Sequence, residues 1–557
     1  MGHVRDLSDR VRRAWRPAGT GERPRRRLAV VAAAVGVASL ATTTAVVLPA
    51  SATLRSHRVH PARSARVHSG GTLTVLENTA YIGDWTPGFD PATSTDALAI
   101  GSVMDAIYGE LFEVGTNNQG INDLASGYAF SNGNRTLTIQ IRKGVTFTDG
   151  TPFDAAAVVF NIKRDLAAHS ESNPAWPPLT SIAATGPDTV VLNFSAPDGA
   201  AVNQFQDTNE NWIVSPTALK KEGETKFRAY PVGAGPFIMV SDEPTTKLVL
   251  KKNPHYWQPG HPYLNGLIFH TVANDETALE VMRSGGAQAY NYMDTPQLVS
   301  GFRQAGLQLT TDPAVFGTDV QMNAEIPPFN NLKAREAIYY ATNAAAIDKA
   351  VYNGTCPLTE SFTGPGGLFY NPKVPGYRNY DLAKAKALVK QIGGLSFTMY
   401  YFELGNVNQS EAEALQTMYQ QAGMQVTIKG DPDIASLVAT YNTHKWTIIP
   451  AAIGAWDPAT ATGVAFRLLS TGPFTGIADK SVDKYINAGV ATSNPAARAK
   501  AYASLASVLN QKAYTPFICA PESWDVVKPG VQGPGLTSVT AAFGEGPLTL
   551  WEDVSMK

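Results

Sequence analysis

The chain has 557 residues, 44% of them hydrophobic and 17% charged, more than one hydrophobic core usually serves, so at least two lobes are expected. Its formal net charge of −2 hides an asymmetry: thirteen of the 45 basic residues but only three of the 47 acidic ones precede Gly71, which leaves the rest of the chain at −12. A surface of that sign excludes nucleic acid and anionic lipid as natural partners of the globular part.

The N-terminus reads as an export signal. Nine arginines within residues 1–27 give way to "LAVVAAAVGVASLATTTAVVLPASA", whose small-residue end (Ala50, Ser51, Ala52) fits cleavage after Ala52. An uncleaved N-terminal anchor is the alternative, and Arg25-Arg26-Arg27-Leu28 permits twin-arginine export. Neither Cys356 nor Cys519 lies at the end of the apolar run, so a standard lipoprotein is excluded. Outside the cytoplasm these two cysteines either form one disulfide or stay as buried thiols; spacing alone leaves both open. Residues 53–70 lack aliphatic periodicity and read as a basic linker.

Order is expected from Gly71. "GTLTVLEN" alternates as a strand, and "STDALAIGSVMDAIYGELFEV" has apolar residues at helical spacing. Leu137, Ile139 and Ile141 alternate after an Asn-Gly-Asn turn, which predicts a hairpin. Another strand is expected at 187–194 and a two-stranded hairpin across 233–257. From about 324 helices alternate with strands: a helix across "NNLKAREAIYYATNAAAI", another over "DLAKAKALVKQI", a strand at "LSFTMYYF", a helix from Gln409, a strand at "MQVTIKG" and a late helix over 497–513. That alternation predicts a mixed α/β lobe.

The chain carries no GxSxG elbow, Walker loop, GxGxxG, HExxH or CxxC. His255, His261 and His270 are irregularly spaced in a segment read as a loop, which points away from a metal. Asp149 and Asp154 could be an acid/base pair, but Asp149-Gly150 is a favoured turn and Asp154 immediately precedes "AAAVVFNIKR". Turn and helix cap are the expected roles.

Three blocks then carry a family resemblance. "LASGYAFSNGNRTLTIQIRKGVTFTDGTPFDAAAVVFNIKR" resembles the signature of the family 5 extracellular solute-binding proteins, the oligopeptide/dipeptide/nickel-binding components of ABC importers. "PVGAGPFIMVSDEPTTKLVLKKNPHYW" and "MNAEIPPFNNLKAREAIYYATNAAAI" are similar to two further family blocks in the same order. The resemblance covers roughly 71–557. It implies an α/β, two-lobe clamshell of the periplasmic-binding-protein type, class II, with an extra subdomain inserted in the first lobe. Lobe I would comprise 71–112, 231–323 and 523–557, the insertion 113–230, and lobe II 324–522. Such a protein is not an enzyme and needs no cofactor or metal. It is an exported, extracytoplasmic monomer that passes a peptide or small solute to membrane permease subunits.

In peptide binders of the family an aspartate pairs with the ligand's α-ammonium. Here, if Asp457-Pro458 matches the motif's end, that position falls on Gly454 or Ile453, and the usual anion is missing. Asp457 is the nearest carboxylate, with a turn role as its competitor. Trp446 and Trp456 flank the segment and could stack on ligand. Thr93, Ser94 and Thr95 lie on the expected first cleft loop, and Tyr401, Glu403 and Asn406 at the cleft end of "LSFTMYYFELGN". Glu403 could replace the missing anion, while Phe316 is expected to pack at the hinge. A non-peptide solute (an oligosaccharide or a metal chelate), a secreted hydrolase and a signalling receptor are the competing readings.

Overall fold

Among the described residues, three sheets of four or more strands organise the fold. The computed structural model describes residues 68–78, 88–93, 100–114, 120–168, 176–206, 208–312, 314–403, 405–432, 434–453, 457–460, 463–536 and 549–557. The expected signal, the linker up to residue 67, Ser94, Thr95 and Trp456 lie outside them, as does the side chain of Asn406.

The first sheet has seven strands in the order Gln308–Thr311, Trp524–Val527, Ala289–Met293, Thr72–Asn78, Gly266–Val272, Lys247–Lys252 and Phe237–Glu243. Thr72–Asn78 runs parallel to both of its neighbours, which buries it on two faces. Leu73 and Val75 enter one core with the helix Gly101–Tyr108, while Leu76 enters the opposite one with Met282 and Phe302. Burial on both faces is the usual condition of parallel strands.

A four-stranded antiparallel sheet forms the inserted subdomain, in the order Ala125–Ser131, Thr136–Ile141, Thr189–Phe194, Leu179–Gly186. The predicted hairpin turns through Asn132, Gly133 and Asn134, all at positive φ. Helix Ala155–Ala168 covers this sheet; its Asp154 accepts from Ala157 N at 2.9 Å, the expected cap. Asp149 accepts from Thr151 N at 2.9 Å, Thr151 Oγ1 at 2.6 Å and Ser215 Oγ at 2.7 Å. Burial alone would raise its pKa, but these hydrogen bonds outweigh it and hold the carboxyl below its ordinary range.

The third sheet, in the order Gly317–Met322, Ile448–Ile453, Ser396–Phe402, Gln425–Asp431, is the frame of the second lobe. This corrects the expected boundary at 323. Gly317–Met322 pairs antiparallel with Ile448–Ile453, so the chain crosses between lobes at 312–316. The expected single helix over 330–347 is two, Leu332–Ala341 and Ala344–Val351, because Asn343 turns its side chain to cap the second by accepting from Ala346 N. Cys356 and Cys519 are disulfide-bonded with Cα atoms 5.4 Å apart. His270 lies in the strand Gly266–Val272 rather than in a loop, and His261 Nε2 contacts Asp553 Oδ1 at 3.0 Å. Among the described residues no helix is long and apolar enough to cross a membrane.

Candidate functional site

Strand direction locates a cleft. Thr72–Asn78, Gly266–Val272 and Ala289–Met293 are parallel, and Gln308–Thr311 ends beside their carboxyl ends through its pairing with Trp524. In the third sheet Ser396–Phe402, Gln425–Asp431 and Ile448–Ile453 are parallel, and Gly317–Met322 begins at their carboxyl ends, opposite Ile453. The five-residue crossing 312–316 therefore ties one carboxyl edge to the other. The return crossing keeps the same geometry, with Phe517 bridged to Asp319 and Ser523 O accepting from Asp312 N at 2.9 Å. Ligands of open α/β sheets bind outside the carboxyl ends of strands, and here two such edges face a common space. Phe316 packs at this crossing with Val114, Val315, Leu368 and Ala452.

On the second lobe's edge, Tyr401 is buried near the end of its strand and Glu403 lies just beyond, exposed. Tyr401 OH donates to Glu403 Oε1 at 3.4 Å. A Cβ at Gly430 on the adjacent strand would sit 1.9 Å from Glu403 Oε1, so the carboxylate occupies space that only glycine leaves free. A hollow of about 410 Å³ beyond the end of the adjacent strand is lined by Lys429, Gly430, Asp431, Pro432, Ser436 and Thr440 among others. Lys429 points to the opposite face of the sheet, over the Tyr400 ring at 5.5 Å.

The other expected contacts are placed differently. Asp457 is fully buried: Arg498 Nη1 donates to its Oδ2 at 2.9 Å and Nη2 to its Oδ1 at 2.6 Å, and Asn203 Nδ2 also donates to Oδ2. Its Oδ1 further accepts from Ala459 N at 2.9 Å. With these partners the carboxylate serves the protein rather than a ligand, a correction to the sequence expectation. Trp446 is corrected likewise, because its ring is buried in lobe II against Tyr441 at a centroid distance of 5.2 Å and leaves no face for stacking. Thr93 turns its Oγ1 to Asp90 O at 3.3 Å. Asp90 in turn receives both guanidinium nitrogens of Arg164, at 2.7 and 2.5 Å, which fastens this loop to the subdomain helix.

Three carboxyls at the first lobe's edge escaped sequence reading. Glu77, Asp312 and Asp525 are 4%, 1% and 2% exposed. Glu77 accepts from Asn291 Nδ2 at 3.2 Å, and Asn291 also donates to Ser102 Oγ at 3.1 Å and accepts from Thr549 Oγ1 at 2.8 Å. Asp312 accepts from Ser523 Oγ at 2.9 Å. Burial pushes Glu77 up to about 8, against the pull of Asn291, and Asp312 up to about 7. Burial and then the charge of Asp312 drive Asp525 well above its ordinary range. Glu77 was detectable: it occupies the same buried row as Leu73 and Val75, where a strand's period demands an apolar residue.

A family model described as "Bacterial extracellular solute-binding proteins, family 5 Middle" matches residues 120–474. The glutathione-binding protein GsiB of Escherichia coli (strain K12) is 27% identical over 448 residues, covering 76% of this chain and 85% of that protein. Among solved structures, the periplasmic binding protein DppA from Helicobacter pylori in complex with the peptide STSA is similar with a TM-score of 0.70 at 20% identity, over 88% of this chain and 98% of that one. AgaA from A. tumefaciens R10, in complex with agropinic acid, also gives a TM-score of 0.70, at 21% identity over 87% and 99% of the two chains. At these identities the structural likenesses show a shared two-lobe fold.

Proposed function

The chain belongs to the family 5 bacterial extracellular solute-binding proteins, and we propose that its own ligand is a peptide, captured between the two carboxyl edges and handed to the permease of an ABC importer. Proteins of this family act outside the cytoplasm by binding, not by catalysis. The observation that carries the peptide reading is Glu403, an exposed carboxylate on the lobe II edge, set in the space left by Gly430. We read it as the partner of a ligand ammonium, the task the family gives to an aspartate whose position here falls on Gly454 or Ile453. Tyr401 steadies it, and closure that excludes water would strengthen the pair.

A second reading, a non-peptide solute, is favoured by that same missing aspartate and by AgaA, a protein of this fold solved with agropinic acid. Mass spectrometry of what co-purifies with the natively expressed protein separates the two. Mixed short peptides support the first; a sugar, a non-peptide organic acid or a metal chelate would overturn it. With a recovered peptide as probe, Glu403→Gln should weaken binding roughly ten- to hundredfold, the worth of one charge-assisted hydrogen bond. Equal affinity would remove Glu403 from the site. We also propose that the receptor works as a monomer and that residues 1–52 direct its export.

A further inference from the structure

Besides the covalent crossings, a separate bridge of non-covalent contacts joins the inserted subdomain to the second lobe. On one side are Asn134, in the hairpin turn, and the segment 198–205, whose Ala201, Val202 and Phe205 enter the subdomain core. On the other are Asp457, the end of the helix Lys480–Val490, and residues 491–493. Gly199 N donates to Val490 O at 2.8 Å, and Asn134 Nδ2 donates to Ala491 O at 3.0 Å. Ser493 Oγ donates to Asn134 Oδ1 at 3.3 Å, and Asn203 Nδ2 to Asp457 Oδ2.

Each side is organised by its own contacts. Asp198 accepts from Ala200 N at 2.9 Å and Gln204 Nε2 at 2.8 Å, which shapes the subdomain turn, while Arg498 fixes Asp457 within the second lobe. Gly199 is the informative residue. A Cβ there would lie 2.0 Å from the carbonyl carbon of Thr492 and 2.1 Å from Ser493 N. Its φ lies outside the left-handed region, so the local chain would accept alanine without strain. What alanine cannot do is let the backbone of 492–493 approach. Glycine is required here by the meeting of the lobes and not by the turn itself.

We propose that Gly199, Asn134 and Asn203 form a closure latch: positioning residues that touch no ligand but hold the subdomain against the second lobe when the cleft is shut. This rests on the reading of the chain as a receptor that closes on a ligand. A hinged protein with a second attachment can open only by breaking it, so the latch sets the rate of ligand escape.

Small-angle scattering of the full protein, as purified and after ligand is stripped by unfolding and refolding, tests this. Gly199→Ala should keep the wild-type circular dichroism yet show a larger radius of gyration in the purified form. Asn134→Ala/Asn203→Ala, which removes only hydrogen bonds and leaves Asp457–Arg498 intact, guards against a steric artefact. It should shift the same way and release co-purified ligand roughly tenfold or more faster. Scattering identical to wild type for both variants in both forms would overturn the latch. A wild type that carries no ligand would count against the receptor reading, and the scattering comparison would still decide the latch.

Discussion

Asp457→Ala is the sharpest test of how the second lobe is built. The substitution leaves the Arg498 guanidinium, 4% exposed, without its two charged acceptors; only Gly489 O, at 3.0 Å from Nε, and Tyr502 OH, at 3.4 Å from Nη2, remain. The charge of Asp457 is what lifts the Arg498 pKa despite a burial that would lower it. Breaking a buried pair by removing one partner costs about 3–5 kcal/mol, mostly because an uncompensated charge stays in the interior. For a cooperative unit of about 200 residues each kcal/mol lowers Tm by about 2–4 °C, so a fall of about 6–20 °C is expected. Scanning calorimetry reads it, and Asp457→Asn, which keeps shape and loses charge, should fall in between. In a double-mutant cycle, adding Arg498→Met to Asp457→Ala should recover part of the loss. If instead Asp457→Ala melts within about a degree of wild type, the carboxylate is not the partner that holds the buried Arg498 in place, and its structural role is refuted.

Other expectations follow from the same geometry. The Cys356–Cys519 bridge spans 163 residues, and loop-closure entropy puts its worth at up to about 5 kcal/mol. Cys356→Ala/Cys519→Ala should therefore lower the urea midpoint markedly with ligand selectivity kept, and an unchanged midpoint would refute the estimate. Glu77, with its pKa raised to about 8 in the folded state, contributes stability that is complete below its unfolded value near 4.5 and lost as pH rises toward 8. The interval amounts to roughly 5 kcal/mol. Glu77→Gln should match wild type near pH 4.5, exceed its stability at pH 8 and flatten the profile between; a parallel profile would show that Glu77 ionises normally. Gly430→Ala, which displaces the Glu403 carboxylate without touching its charge, should weaken peptide binding as Glu403→Gln does. Isothermal titration with a recovered peptide reads the effect, and unchanged affinity would detach Glu403 from recognition.

Local chemistry made much of the fold legible. The strand Thr72–Asn78, the hairpin through Asn132–Asn134 and the Asp154 cap follow from period, turn residues and side-chain acceptors close in sequence. The misreadings arose where partners are distant. Gly317–Met322 is buried at every position, so it shows no alternation, and only its pairing with Ile448–Ile453 assigns it to the second lobe. The helix break at Asn343 was signalled, since Thr-Asn inside a helical run offers a cap, but strong apolar spacing on both sides masked it. Asp457 looked like a turn or cleft residue because its real partners, Asn203 and Arg498, lie 254 and 41 residues away. Trp446 looked available for the same reason: Tyr441 is near in sequence, but the Gly476 backbone that closes over the indole is not.

The two cleft edges divide the electrostatic work unequally. On the first lobe Glu77, Asp312 and Asp525 are sequestered so thoroughly that burial disfavours their charge, and Glu77 is largely protonated at neutral pH. To attract an ammonium such a group must first ionise, at about 1.4 kcal/mol for each pH unit by which its pKa exceeds the ambient value. That cost offsets much of what the new pair would contribute. Glu403 is exposed, and a ligand that desolvates it would bring the compensating charge with it. An anion of this kind discriminates: closure over a cationic ligand strengthens the pair as water leaves, whereas closure over an empty or anionic cleft strands a carboxylate in a medium that disfavours it. Burial thus mutes Glu77, Asp312 and Asp525, whereas the exposed Glu403 keeps its charge available to a ligand, and under this assignment it is the second lobe that meets the ligand's ammonium.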